Sequence, residues 1–231
     1  MFASQIIFIL CWLLLFFERW QINLIKLKRM NKDKVILDLC GGTGMWSKPY
    51  KDAGYTVKVI TLPEHDVFKY NDYENFIENV YGILSAPTCT HFSLARTTAK
   101  TPRDLKTAMK LIRRCLNIVE DCRVNGNLKF WALENPVGYL RQFLGKPPLT
   151  FNPADYGANY TKKTDLWGYY NLPKKKPNKL TDEEIAKCSI NNRLLPELPK
   201  DYVCPDNFRP QQARRSMTDK HFATAFFKAN K

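Results

Sequence analysis

Short, almost continuous apolar runs recur along this chain, and each one stops at a turn or a polar group. "KVILDL" (34–39) closes on glycines, and "TVKVITL" (56–62), "YGILSA" (81–86) and "LKFWALEN" (128–135) follow. Runs this brief and this uniformly apolar fit strands buried on both faces, and parallel strands need crossover segments that cover those faces. Suitable segments lie between them. "WSKPYKDAGY" (46–55) suits a helix, with Pro49 in its first turn and Gly54 at its end. From Arg103 to Arg123, Leu105, Met109, Ile112, Leu116 and Val119 recur at helical spacing, while Lys106, Lys110, Arg113 and Arg114 lie elsewhere around the helix. The order predicts an α/β fold with a mostly parallel sheet, helices on both faces and ligands at the carboxyl ends of the strands. At 231 residues and 45% hydrophobic content, one sizeable core is expected.

Thirty-six Lys and Arg against 22 Asp and Glu leave a formal charge of +14, which favours an anionic partner such as nucleic acid, an acidic membrane surface or a phosphorylated small molecule. The cysteines (Cys11, Cys40, Cys89, Cys115, Cys122, Cys188 and Cys204) are odd in number and form no C-x-x-C pair. That pattern argues against a disulfide framework and a zinc ribbon, so reduced intracellular thiols and no metal are expected. Residues 1–29 differ from the rest. "MFASQIIFILCWLLLFF" carries no formal charge and precedes "ERWQINLIKLKR". It is at the short end of membrane-spanning length and lacks the basic start and cleavage site of a secretory signal. Three readings stand: a membrane anchor, an apolar helix packed on the domain, or upstream sequence read in by a wrong start. The last is favoured, because Met30 directly precedes "NKDKVILDLCGGTG".

The residues with chemical potential sit at strand ends. In "DLCGGTG" (38–44) the glycines let a backbone approach a ligand, and the helix beyond would present free N–H groups; a purely structural turn would use the same glycines. The spacing is not G-x-G-x-x-G and no Walker lysine follows, so a nucleoside-bearing ligand without a phosphate chain, such as S-adenosylmethionine, is a fitting occupant. Cys89 lies beyond "YGILSA", behind Pro87 and beside Thr88, Thr90, His91 and Ser93. Polar, partly open surroundings suit a thiolate nucleophile, whereas an isolated cysteine is more often an inert small hydrophobe. Glu134 in "LENP" (133–136) is either a second catalytic group or a surface carboxylate at a turn.

Glycine loop, Pro-x-Cys and Glu-Asn in this order resemble the DNA 5-cytosine methyltransferases, and especially their short bacteriophage-type forms, over about residues 35 to 230. The family's Phe-x-Gly-x-Gly is matched by Cys40, Gly42 and Gly44, with cysteine in place of phenylalanine. Pro-Pro-Cys is matched by Pro87 and Cys89, with Thr88 between them and Phe92 and Ser93 continuing the pattern. Glu134 and Asn135 match Glu-Asn-Val, with Pro136 replacing valine. The resemblance implies a Rossmann-like S-adenosylmethionine-dependent methyltransferase fold with a small C-terminal elaboration. It divides the chain into a catalytic core (30–168), a short target-recognition region (169–210) and a C-terminal helix closing the core (211–231).

The cofactor residues it implies are Asp38, Cys40, Gly42, Gly44, Glu64, Asp66 and Pro87, with Asp66 meeting the adenine amine and Glu64 the ribose. Cys89, Glu134 and Asn135 would be catalytic. The usual Gln-x-Arg-x-Arg is not found, and Lys162 and Lys163 in "YTKKTDLWG" (160–168) would supply its charge. Ser93, Arg96, Lys174 and Lys175 complete the implied nucleic-acid contacts, "LPKKKPNK" (172–179) being either a backbone-tracking segment or a solvated linker. "RRSMTDKHFATAFFKAN" (214–230) would close the cofactor site.

The chemistry needs these residue types together. A thiolate adding to carbon 6 of cytosine makes carbon 5 nucleophilic, and a carboxylic acid must share a proton with ring nitrogen 3. A monomer acting on cytosine-containing DNA is expected, in the cytoplasm or in that of a host cell. The departures at Cys40 and Thr88 keep open a catalytically silent nucleic-acid-binding protein. Methyl transfer to a base nitrogen stays open as well, as does action on RNA or a free nucleotide.

Overall fold

The computed structural model describes Trp12, Phe16, Phe17, Arg19 and residues 28–96, 99–177, 179, 181, 183–184, 196–200, 202–204 and 209–231. Most of the apolar leader and, within the 169–210 region, residues 178, 180, 182, 185–195, 201 and 205–208 lie outside the described residues. Among the described residues no helix is long and apolar enough to cross a membrane.

The four apolar runs are strands: β1 (Val35–Leu39), β2 (Thr56–Ile60), β3 (Val80–Ser85) and β4 (Phe130–Pro136). Between them lie α1 (Lys48–Asp52) and α2 (Leu105–Asn125), and after them α3 (Arg141–Leu144), β5 (Leu149–Phe151) and β6 (Thr164–Tyr169). The sheet order is β2-β1-β3-β4-β6-β5. Strands β2, β1, β3 and β4 pair in parallel, whereas β6 is antiparallel to both its neighbours. The chain order reverses between β1 and β3, and in open α/β sheets such a switch point leaves a crevice at the carboxyl ends of the strands.

Alternation along β1 sorts the core into two layers. Val35, Leu37 and Leu39 pack with Cys115, Ile118, Val119 and Cys122 of α2 on one face, while Ile36 joins Trp46, Tyr50 and Phe130 on the other. That second layer is sealed by the end of the chain. The single C-terminal helix expected over 211–231 is two helices, α4 (Pro210–Ser216) and α5 (Lys220–Ala229), separated by Met217, Thr218 and Asp219. The Asp219 side chain accepts from the N–H groups of His221 and Phe222, so the break is a new N-cap. Phe222 stacks on Phe151 at 3.8 Å between ring centroids, and Phe226 meets Trp46 edge-on at 5.7 Å.

A second correction concerns the glycine loop. The helix after it starts only at Lys48 and is five residues long, because residues 45–47 form a turn whose first bond runs from Lys48 N–H to Gly44 O.

Candidate active site

Parallel strands β1, β3 and β4 bring the three sequence motifs to one edge of the sheet. The β1 loop turns back sharply, with Cys40, Gly42 and Gly44 all at positive φ (59°, 54° and 66°). Only glycine takes such angles without strain, so two of the three are at low cost and Cys40 is not. A Cβ on Gly42 would meet nothing within 4 Å, so the loop faces open space there.

Below the loop, Asp38 is fully buried and accepts a 2.5 Å hydrogen bond from the Ser47 hydroxyl, while its Oδ1 is buried without a partner among the described residues. Burial, with a smaller contribution from Glu134, raises its pKa to about 6 against the lowering effect of Ser47. The Cys40 thiol turns inward to the Cys115 thiol. That hydrogen bond, burial and the Asp38 and Asp66 carboxylates all hold it as a neutral thiol. Cys40 therefore contributes its backbone bend to the loop, while its side chain belongs to the core layer. The Asp66 Oδ1 accepts from Phe68 N–H, and Glu64 is exposed.

Cys89 sits on a loop anchored from several sides. Its carbonyl accepts from the N–H groups of Phe92 and Ser93, making a tight turn. Phe92 is fully buried among Met109, Ile112, Leu133, Leu140 and Trp167. Arg103 donates to the His91 carbonyl at 2.9 Å, and the Asp104 N–H donates to His91 Nδ1 at 2.8 Å, tying the loop to the start of α2. Asn135 Nδ2 donates to the Pro87 carbonyl at 3.0 Å, so β4 holds the near side of the same loop. Asn135 Oδ1 is buried without a partner among the described residues.

Glu134 points to the α1 and α5 side of the sheet and is only 5% exposed. Its Oε1 lies 3.3 Å from Lys162 Nζ and its Oε2 accepts from Thr218 Oγ1 at 3.0 Å. The lysine arrives through topology. Antiparallel pairing sets Thr164 of β6 opposite Pro136 of β4, so residues just before β6 come back over the carboxyl end of β4. Lys162 Nζ also contacts the Met217 carbonyl at 3.4 Å. Burial pushes the Cys89 thiol above its ordinary pKa, the Lys162 ammonium pulls it down, and Glu134 pushes it up. Cys89, Glu134 and Lys162 thus form one electrostatic group.

The remaining expected nucleic-acid residues are not gathered there. Lys163 is exposed, and its carbonyl accepts from Val137 N–H. Ser93 bridges to Gly138 and its hydroxyl accepts from Ala95 N–H, while Arg96 donates to Thr101 Oγ1 at 2.6 Å. Lys174 is exposed, whereas Lys175 lies 3.5 Å from Asp155. Two site residues escaped the sequence reading. Ser47 gave no signal beyond lying after the glycines. The only trace of Thr218 was a Thr-Asp capping pair inside an otherwise helical block.

No family model matches this chain, and no curated protein matches it.

Proposed function

We propose that this protein is a DNA (cytosine-5)-methyltransferase of the short bacteriophage-type form. The observation that carries the reading is the convergence of Cys89, Glu134 and Lys162, with Asn135 clamping the cysteine loop through Pro87. A lone cysteine at a strand end would carry little weight. A cysteine in the field of a buried carboxylate–lysine pair matches what carbon-5 chemistry requires.

In this reading the Cys89 thiolate forms a bond to carbon 6 of cytosine. The C5=C6 electron pair moves to join carbons 4 and 5, the C4=N3 pair moves onto ring nitrogen 3, and that nitrogen takes a proton delivered through the Glu134 carboxyl group. Once carbon 5 is alkylated, a base removes its hydrogen, the C5=C6 bond re-forms and the thiolate leaves. Lys162 stabilises the thiolate and offsets the Glu134 charge; Asn135 keeps the attacking loop in register. The target base must leave its stack or come from a single strand, and exposed lysines such as Lys163 and Lys174 would hold the backbone.

The residues present fit S-adenosylmethionine. The loop opens at Gly42, Asp38 offers an unpartnered Oδ1 beneath it, and Asp66 lies near Cys40. Asp38, the backbone of Cys40, Gly42 and Gly44, with Glu64, Asp66 and Pro87, would hold it. Its sulfonium supplies an electrophilic methyl group.

The test is incubation with tritiated S-adenosylmethionine and cytosine-containing DNA. Tritium is expected in 5-methylcytosine, Cys89→Ser should abolish it while sparing cofactor binding, and 5-fluorocytosine DNA should be captured covalently at Cys89. Label on a base nitrogen, or no label and no capture, overturns the reading.

A further inference from the structure

The C-terminal segment does more than cover the sheet. Thr218 is 7% exposed, and its hydroxyl donates to Glu134 Oε2 across 84 residues of chain. Its neighbour Met217 offers a carbonyl to the same Lys162 that contacts Oε1. Thr218 is not free to wander, because Asp219 begins α5 and Phe222, one turn on, is fully buried against Phe151. A side chain in that setting fixes whatever it bonds.

We propose that Thr218 is a positioning residue that fixes the orientation in which the Glu134 carboxyl group meets the base. Oε2 accepts from Thr218 and Oε1 from Lys162, so each oxygen of Glu134 has its own donor and the plane of the group is set from two sides. Turning that plane away from Thr218 would break a buried hydrogen bond. The C-terminal segment thereby makes one catalytic group competent. This inference rests on the methyltransferase reading, and the experiment separates the two.

Three proteins are compared: wild type, the near-isosteric Thr218→Val, and Thr218→Ser. Wild type must methylate carbon 5; if it does not, the functional reading fails whatever the variants do. With an active wild type, Thr218→Val is expected to lower kcat about 10- to 100-fold with KM for DNA and cofactor within about twofold, and to displace the pH profile of kcat. Thr218→Ser should restore most of the rate and the wild-type profile. An activity-free readout follows the Glu134 carboxyl resonance in carbon-13-labelled protein, which should shift in the valine variant and stay in place in the serine variant. That readout decides the contact even if transfer is absent, and the serine variant decides it if the valine protein does not fold. An unmoved resonance, or a valine variant with wild-type kcat and pH profile, overturns the proposal. So does a serine variant that is as impaired as valine.

Discussion

Lys162 has two neighbours of opposite demand. Its ammonium lies beside the Glu134 carboxylate and also favours ionisation of the Cys89 thiol, which burial disfavours. In the proposed reaction only the thiolate would attack, and the thiol pKa is raised, so the rate of covalent capture should climb with pH beyond the ordinary thiol range. Lys162→Met should move that rising limb to higher pH and lower the rate at neutral pH by about tenfold, one pKa unit being tenfold in thiolate. A capture profile identical to wild type would rule out this role. Asp38 makes a stability prediction of defined sign. Its carboxyl rises from 3.8 to about 6 on folding, so the folded state holds its proton more tightly than the unfolded one. The resulting stability is full below pH 3.8 and is lost as pH rises through about 6, a change on the order of 3 kcal/mol. Asp38→Asn should remove that loss. Urea unfolding between pH 3.5 and 7 checks it, and parallel curves for the two proteins would count against it.

At the scale of elements, the site is made by strands of opposite direction meeting at one edge. Parallel strands β3 and β4 send Cys89 and Glu134 the same way, and antiparallel β6 starts where they end, so the residue just before it becomes their neighbour. The turn after β4 is equally constrained. Gly138 bridges to Ser93, and a Cβ there would lie 2.2 Å from the Phe92 carbonyl oxygen. That carbonyl also accepts from Tyr139 N–H, so it has little room to retreat. Gly138→Ala should therefore push the cysteine loop outward, costing about 1–3 kcal/mol of stability and lowering kcat more than cofactor affinity. Thermal melts and single-turnover rates measure the two effects. A variant with unchanged melting and unchanged rate would show that the loop tolerates the shift.

At the scale of the whole molecule, the charge of +14 is spread over a surface on which some lysines are already neutralised. Lys174 is exposed, whereas Lys175 lies 3.5 Å from Asp155. If both approach phosphate, DNA affinity should fall steeply with salt, and Lys174→Gln should reduce the salt slope by about one while Lys175→Gln reduces it by less. Equal slopes in both variants would contradict that division. The same scale separates what could be read in the sequence from what could not. Four strands, the long basic helix and the placement of Cys89 and Glu134 were legible, because buried strands are local apolar runs and a strand's end is visible where the run stops. The insertion of β6 between β4 and β5 was not, nor was the α4–α5 break. Strand order depends on which surfaces bury one another, and a capping aspartate inside a helical block has no distinctive period. Cys40 shows the same limit. Its position in the loop was legible, yet whether the thiol faced a ligand or the core depended on Cys115 of α2, which comes 75 residues later. Which residue types reach the carboxyl edge of the sheet follows from the order of apolar runs and turns alone. That Lys162 and Thr218 meet Glu134 there is a product of folding, because contacts between distant segments are set by packing and strand direction, which no local pattern encodes.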